Sequence, residues 1–399
     1  MNASAALYAV VLDFKRGIVY NTDKSMTVYC PFLQEDTKMK HRNPLMPEHS
    51  DTKFLAVGEI MLRLTPPNYE KIRVTNSFEA SYGGSEANIA LALANLGVDS
   101  TFFTVVPNNS LGKSAIRMLR SNDVHCTPVI LSTPEETPTH RLGTYYLETG
   151  FGIRASEVTY DRKHSAVTEY DFSKVDLDAL LSEFTWLHLS GITPALGENC
   201  RKLIFDLMVK AKEKGLTVSF DGNFRSTLWS WEEARDFCTK CLPFVDVLLG
   251  IEPYHLWRDD NDHSLGDYKD GVPLQPSYEQ QDEIFRAFVE KYPNIRCIAR
   301  HVRYAHSGSE NSLKAFMWYD DHTFESKLFT FNILDRVGGG DAFASGLIYA
   351  IMHDYKPMDM INFAVASSVL KHTIHGDANI TDDEQAIRNL MNMNYDIKR

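Results

Sequence analysis

From residue 53 onward the chain runs in short apolar blocks separated by longer amphipathic ones. Phe54, Leu55, Ala56 and Val57, closed by Gly58, form the pattern of a buried strand in a parallel sheet. Further blocks of this kind lie at 101–106, 186–189, 216–220, 245–249 and 295–299. Between them come helical stretches, such as 87–96 ending at Gly97 and 198–214 ending at Gly215, with glycine at the position where a helix stops. Such alternation predicts an α/β fold built from βαβ units, with helices on both faces of the sheet. Two segments break the rhythm. Residues 61–80 and 141–159 alternate apolar and polar side chains, as exposed antiparallel strands do, and predict a small sheet over the C-terminal edge of the main one. A flap of that kind covers a ligand and excludes water.

Residues 1–52 follow no such pattern. Short strand-like pieces at 18–20 and 27–29 sit among charged and proline-containing stretches, and no periodic element is long enough to bury a core. The segment reads as a flexible extension or a start placed too early, with Met26, Met39 and Met46 downstream. Residues 258–277, rich in Asp, Gly and Pro, read as a solvated insertion, because their acidic run lacks the glycine and glutamate spacing of a calcium loop.

Composition narrows the function. The 399 residues are 44% hydrophobic and 24% charged, with 41 basic against 53 acidic side chains, a formal charge of −12. Disordered and collagen-like chains lack that apolar content. An acidic balance argues against nucleic acid or a membrane surface as partner, since both attract basic faces. Six cysteines are too few for a disulfide scaffold, and Cys238 and Cys241 alone form a CxxC, which lacks the ligands of a closed zinc site. They read as core residues with reduced thiols. With no apolar run of membrane-spanning length and no basic stretch before the apolar segment 5–12, the expected location is the cytoplasm.

The chemistry concentrates at Asp335-Arg-Val-Gly-Gly-Gly-Asp341, which follows a strand-like piece at 328–334 and opens a helix running to about residue 352. Consecutive glycines at a helix start leave bare N–H groups pointing outward, and the helix dipole adds positive potential. Gly338, Gly339 and Gly340 therefore make an anion cradle. An acid directly behind it would repel a phosphate that was merely bound. Its position makes sense if Asp341 takes a proton from a hydroxyl to which a phosphoryl group is being transferred. A tight turn followed by a favourable first-turn carboxylate accounts for the same residues equally well.

These residues resemble the D-T-x-G-A-G-D signature of the ribokinase-like (PfkB) carbohydrate kinases, with Arg336 in place of Thr and Gly339 in place of Ala. A second signature of that family is matched by Gly83-Gly-Ser-Glu-Ala-Asn88 and the helix after it, about 250 residues earlier. The resemblance covers roughly 53–386 and implies a ribokinase-like three-layer sandwich with a mostly parallel central sheet and a small β-sheet lid, its strands from about 61–82 and 141–160. It also implies one kinase domain over 53–399, with ATP and Mg2+ as cofactors and lid strands through which subunits of a homo-oligomer pair.

Within the family, the stretches 188–196 and 221–229 are similar to those of 2-keto-3-deoxygluconate kinases. A sugar acid carries a carboxylate, which a guanidinium fork matches better than an ammonium. The resemblance assigns Gly83, Gly84, Asn88, Tyr145, Tyr160, Arg162 and Arg225 to the substrate, although Arg225 alone is equally a surface ion-pair residue. It places Asp335, Ala366 and Gly376 on the nucleotide, with Arg300 or Arg303 supplying charge to the phosphates. Glu252 alone survives from an Asn-x-x-Glu motif associated with magnesium. The expected activity is transfer of the ATP γ-phosphoryl group to the 6-hydroxyl of 2-keto-3-deoxygluconate. A kinase of fructose, ribose or a related keto-deoxy acid, or a weakly catalytic sugar-acid and nucleotide binder, are the alternatives. No P-loop, dinucleotide fingerprint or zinc-hydrolase motif is present, since Pro107 occupies the first glycine position before Gly112-Lys-Ser.

Overall fold

The computed structural model describes residues 10–13, 18–21, 27–29, 45, 52–251, 268–269, 272–273, 275–394 and 396. The chain divides into residues 1–43 and 44–399. In the first unit, strands Val10–Asp13, Ile18–Asn21 and Thr27–Tyr29 form a three-stranded antiparallel sheet. In the second, Leu45 is already buried and its carbonyl accepts a bond from Thr217 Oγ1 at 3.0 Å, so packing starts ahead of residue 53.

Six parallel strands make the centre of the main sheet, in the order Asp99–Phe103, Lys53–Val57, Trp186–Ser190, Thr217–Asp221, Val247–Leu249 and Cys297–Ala305. Glu310–Tyr319 adds antiparallel to the last, and His322–Glu325 and Phe329–Asn332 pair with it in turn. Alternation along each strand sends side chains to two separate cores. Phe54 and Ala56 join helices Ser85–Asn95, Gly339–Met352 and Pro357–Lys371 on one face, while Leu55 and Val57 join Glu198–Glu213, Trp231–Cys241 and Tyr278–Lys291 on the other. This is the three-layer α/β arrangement that the periodicity predicts. Cys238 and Cys241 are wholly buried in the second core, and the described cysteines are all unpaired.

The lid is a four-stranded sheet in the order Glu157–Asp161, Thr144–Glu148, Met61–Thr65, Glu79–Gly83, made of the two segments with alternating side chains. The stretch that carries Arg300 and Arg303 is strand as far as Ala305, because it pairs residue by residue with Glu310–Tyr319. Only the short turn 306–309 separates the two strands. Glu252 and most of the 258–277 insertion lie outside the described residues. Among the described residues no helix is long and apolar enough to cross a membrane.

Candidate active site

Gly338 caps the helix Gly339–Met352 in the left-handed region, at φ +81°. A Cβ there would sit 1.6 Å from the Asp377 carbonyl oxygen, so backbone angle and space both require glycine. Asp341 follows in the first turn and lines a cleft of about 600 Å³. Its Oδ1 accepts from Ser85 Oγ at 2.8 Å and its Oδ2 from Asn88 Nδ2 at 2.7 Å. Both donors stand in the first turn of the helix Ser85–Asn95, which starts where the last lid strand ends. Asn223, in the turn after the strand Thr217–Asp221, donates from Nδ2 to Ser85 Oγ at 2.9 Å. Loss of hydration raises the Asp341 carboxyl above the ordinary aspartate value, against the lowering effect of the bonds from Asn88 and Ser85. Asp221 rises to about 7, first through burial and then through the charge of Asp341.

Beneath the cradle lies a buried ionic cluster. Arg63, from the lid strand Met61–Thr65, donates to Asp335 at 2.5 Å and to Asp377 at 2.6 Å. Asp335 also accepts from the amides of Val337 at 3.1 Å and Gly376 at 3.0 Å. Lys371, fully buried, reaches the carbonyls of Asp335 and Ile374, each at 3.3 Å, and the Tyr145 hydroxyl donates to Asp377. Two acids and two cations thus neutralise one another. The sequence assigned Asp335 and Gly376 to the nucleotide. Here Asp335 is 1% exposed with its carboxylate occupied, and Gly376 serves that carboxylate, so both shape the cradle from below.

The other predicted residues separate by exposure. Arg225 is exposed at the cleft, donates only to nearby carbonyls such as Phe224 O at 3.1 Å, and has no acid partner among the described residues. Tyr160 faces the same space, with Tyr145 packed behind it at 5.8 Å between ring centres. Gly84 lines the cleft, and a Cβ there would lie 1.9 Å from the Glu59 carbonyl oxygen. Gly83 instead sits against the Asp377 side chain. Arg162 reaches the cleft, but its guanidinium is paired with Glu59, whose other oxygen accepts from Ser165 at 2.5 Å. Its charge is therefore already matched, unlike that of Arg225.

At the nucleotide end, strand geometry separates the two candidate arginines. His301 and Arg303 project to the side of the glycine cradle, where His301 lies 5.3 Å from the Phe343 ring. Arg300 lines the cleft from the opposite face of the strand and donates to Gln281 at 3.1 Å. Arg303 and Arg336 also line the cleft, lie close enough for their charges to interact, and have no acid partner among the described residues. Ala366 is fully buried in the core and is not among the residues that line the cleft. Sequence reasoning missed Arg63, Asp377, Lys371, Ser85, Asn223 and Glu59. None carried a local signal, since even Arg63 falls at a polar position of the alternating lid strand.

Among the described residues no group of three or more His, Cys, Asp or Glu is placed to hold a metal ion.

Comparison with known proteins agrees with this geometry. The pfkB family carbohydrate kinase pattern matches residues 51–252. A 2-dehydro-3-deoxygalactonokinase of Haloferax volcanii is 31% identical over 333 residues, which is 83% of this chain and 95% of that protein. Among solved structures, a 2-dehydro-3-deoxygluconokinase of Thermotoga maritima is 35% identical at a TM-score of 0.75, covering 86% of this chain and 99% of its own. A PfkB family carbohydrate kinase from Listeria grayi is 31% identical at 0.76, with 86% and 100% covered. The chain belongs to the PfkB family of carbohydrate kinases, phosphotransferases that act on an alcohol group.

Proposed function

We propose that the protein transfers the γ-phosphoryl group of ATP to the 6-hydroxyl of 2-keto-3-deoxygluconate. The observation that carries this reading is Asp341, a desolvated carboxylate directly after a glycine cradle, facing a cleft lined by Arg225, Arg303 and Arg336, which have no acid partner among the described residues. Gly338, Gly339 and Gly340, with Arg303 and Arg336, surround the transferring phosphoryl group. Tyr160, Gly84 and Arg225 hold the sugar acid, its carboxylate on Arg225. Asp341 accepts the proton of the primary hydroxyl, whose oxygen then bonds to the γ-phosphorus as the bond to the β–γ bridging oxygen breaks and ADP leaves. Magnesium bound to the nucleotide would offset phosphate charge, and no chain residue is assigned to it beyond Glu252.

A second reading has a specific observation in its favour. The Haloferax volcanii relative is named for 2-dehydro-3-deoxygalactonate, which differs from the gluconate form in the configuration of one hydroxyl. Coupled-assay turnover on both epimers, fructose and ribose separates the readings. Preference for a neutral sugar would exclude both acids. Asp341→Asn is expected to cost at least about a hundredfold in kcat, as loss of a general base does. Undiminished turnover in that variant would remove the proposed base.

A further inference from the structure

We propose that Ser85, aimed by Asn223, is a positioning residue for Asp341 that fixes the carboxylate plane toward the incoming hydroxyl, with Asp221 setting the turn that holds Asn223.

The hydrogen-bond directions follow from which groups can donate. Asn223 Nδ2 can only donate, so the bond it makes to Ser85 Oγ, at 2.9 Å, takes a lone pair of that oxygen. The single proton of Ser85 is then left for Asp341 Oδ1, at 2.8 Å. On the other side, the Gly84 amide donates to Asn88 Oδ1 at 3.3 Å, which turns Asn88 Nδ2 toward Asp341 Oδ2. Each carboxylate oxygen therefore has one fixed donor and retains a lone pair for a substrate proton. Asn223 itself stands at φ +38°, a left-handed conformation that asparagine tolerates, and its amide donates to Asp221 Oδ1 at 2.9 Å. A strand end, a helix start and the base of the reaction are joined in one chain of contacts that no sequence motif announces.

The electrostatic consequence has a definite sign. Groups facing Asp341 are Ser85, Asn88 and Glu86 on its neighbouring helix, Asp221 and Arg225 at the strand end, and Asp377 and Lys371 from below. Ser85 and Asn88 bond to the charged form and so hold its proton affinity down against burial. Removing the Ser85 hydroxyl raises that affinity and moves the acidic limb of kcat to higher pH. Asp221→Asn keeps an acceptor for the Asn223 amide and removes an acid whose charge is coupled to that of Asp341, so it should move the limb the opposite way, to lower pH.

The test is the pH profile of kcat, with KM for ATP and for the sugar acid measured alongside. Ser85→Ala should lower kcat by about ten- to hundredfold, as a misplaced reacting group does. Both KM values should hold within about twofold, and the limb should rise by roughly one pH unit. Ser85→Thr, which keeps the hydroxyl, should restore most of both. If Ser85→Ala does not fold, Asn223→Ala leaves Ser85 in place but unaimed, and should move the limb in the same direction by less. A limb unmoved by the Ser85 and Asn223 changes, or moved to higher pH as far by Asp221→Asn, overturns the proposal. The inference rests on Asp341 as the base, and the two fail separately. Full turnover in Asp341→Asn strikes that reading, whereas an inert Asp341→Asn beside an unperturbed Ser85→Ala strikes only this one.

Discussion

Two sets of arginines meet around the cleft, and they differ in what surrounds them. Arg63 and Arg162 are buried and each is matched by acids, the first by Asp335 and Asp377, the second by Glu59. Arg225, Arg303 and Arg336 line the same cleft with no acid partner among the described residues. A paired, buried guanidinium cannot take up a substrate anion without giving up a carboxylate in a site of low dielectric, which is costly. An unpaired one facing solvent loses only water. The protein, acidic overall, thus leaves three arginines of the cleft unmatched by acids, which the proposed function gives to anionic ligands, and pairs the other two with buried carboxylates.

The largest effect expected from this division is at Arg63. Arg63→Met leaves two buried carboxylates facing one another with only Lys371 nearby, and removal of one partner from a buried ionic group typically costs about 3–5 kcal/mol. The midpoint of chemical denaturation should fall accordingly, with KM values of the remaining folded protein little changed. A variant of normal stability but raised KM for ATP would move Arg63 from the bracing set to the ligand set. The Arg63 guanidinium is held well on the charged side by Asp377 and Asp335 despite burial, so the cluster keeps its cation across the ordinary pH range.

How much of this could be read beforehand depends on distance along the chain. The cradle and Asp341 were legible because their chemistry is local: consecutive glycines, a helix start and an acid within four residues. The strand and helix alternation was legible for the same reason, each period being a property of its own segment. Arg63 was not, because its partners lie 272 and 314 residues away and only the folded sheet brings them together. Asn88 was half legible. Its place at the helix start beside the glycines marked it, but nothing local marked its bond to Asp341, 253 residues on. Arg162 makes the complementary point, since sequence can mark the arginine but not the glutamate that pairs with it 103 residues away.

Next in size is Arg225. If its fork holds the substrate carboxylate, Arg225→Gln should raise KM for the sugar acid by about ten- to hundredfold, the range of a lost hydrogen bond to a charged group. Arg225→Lys should recover part of this, since an ammonium keeps the charge but not the paired geometry. Neither change should alter KM for ATP. The decisive comparison is with a neutral sugar: if Arg225→Gln weakens fructose and the sugar acid equally, the residue shapes the pocket and does not read the carboxylate.

The smallest effect falls on the nucleotide side, where two arginines share one task. Arg303 and Arg336 stand near enough to repel, a position that only an anion between them relieves. Because one remains when the other is removed, Arg303→Gln should raise KM for ATP by only about five- to tenfold, below the range of a lone hydrogen bond to a charged group. Arg336→Gln should behave similarly. The double variant should lose less than the product of the two if relief of repulsion offsets part of the second loss. Calorimetric titration checks the assignment without turnover: affinity should fall more for ATP than for ADP, and not at all for adenosine. Higher salt should narrow the gap between wild type and variant, because contacts at the open cleft are screened. Equal losses for ATP and adenosine would place Arg303 against the base or ribose and break the symmetry between the two ends of the cleft.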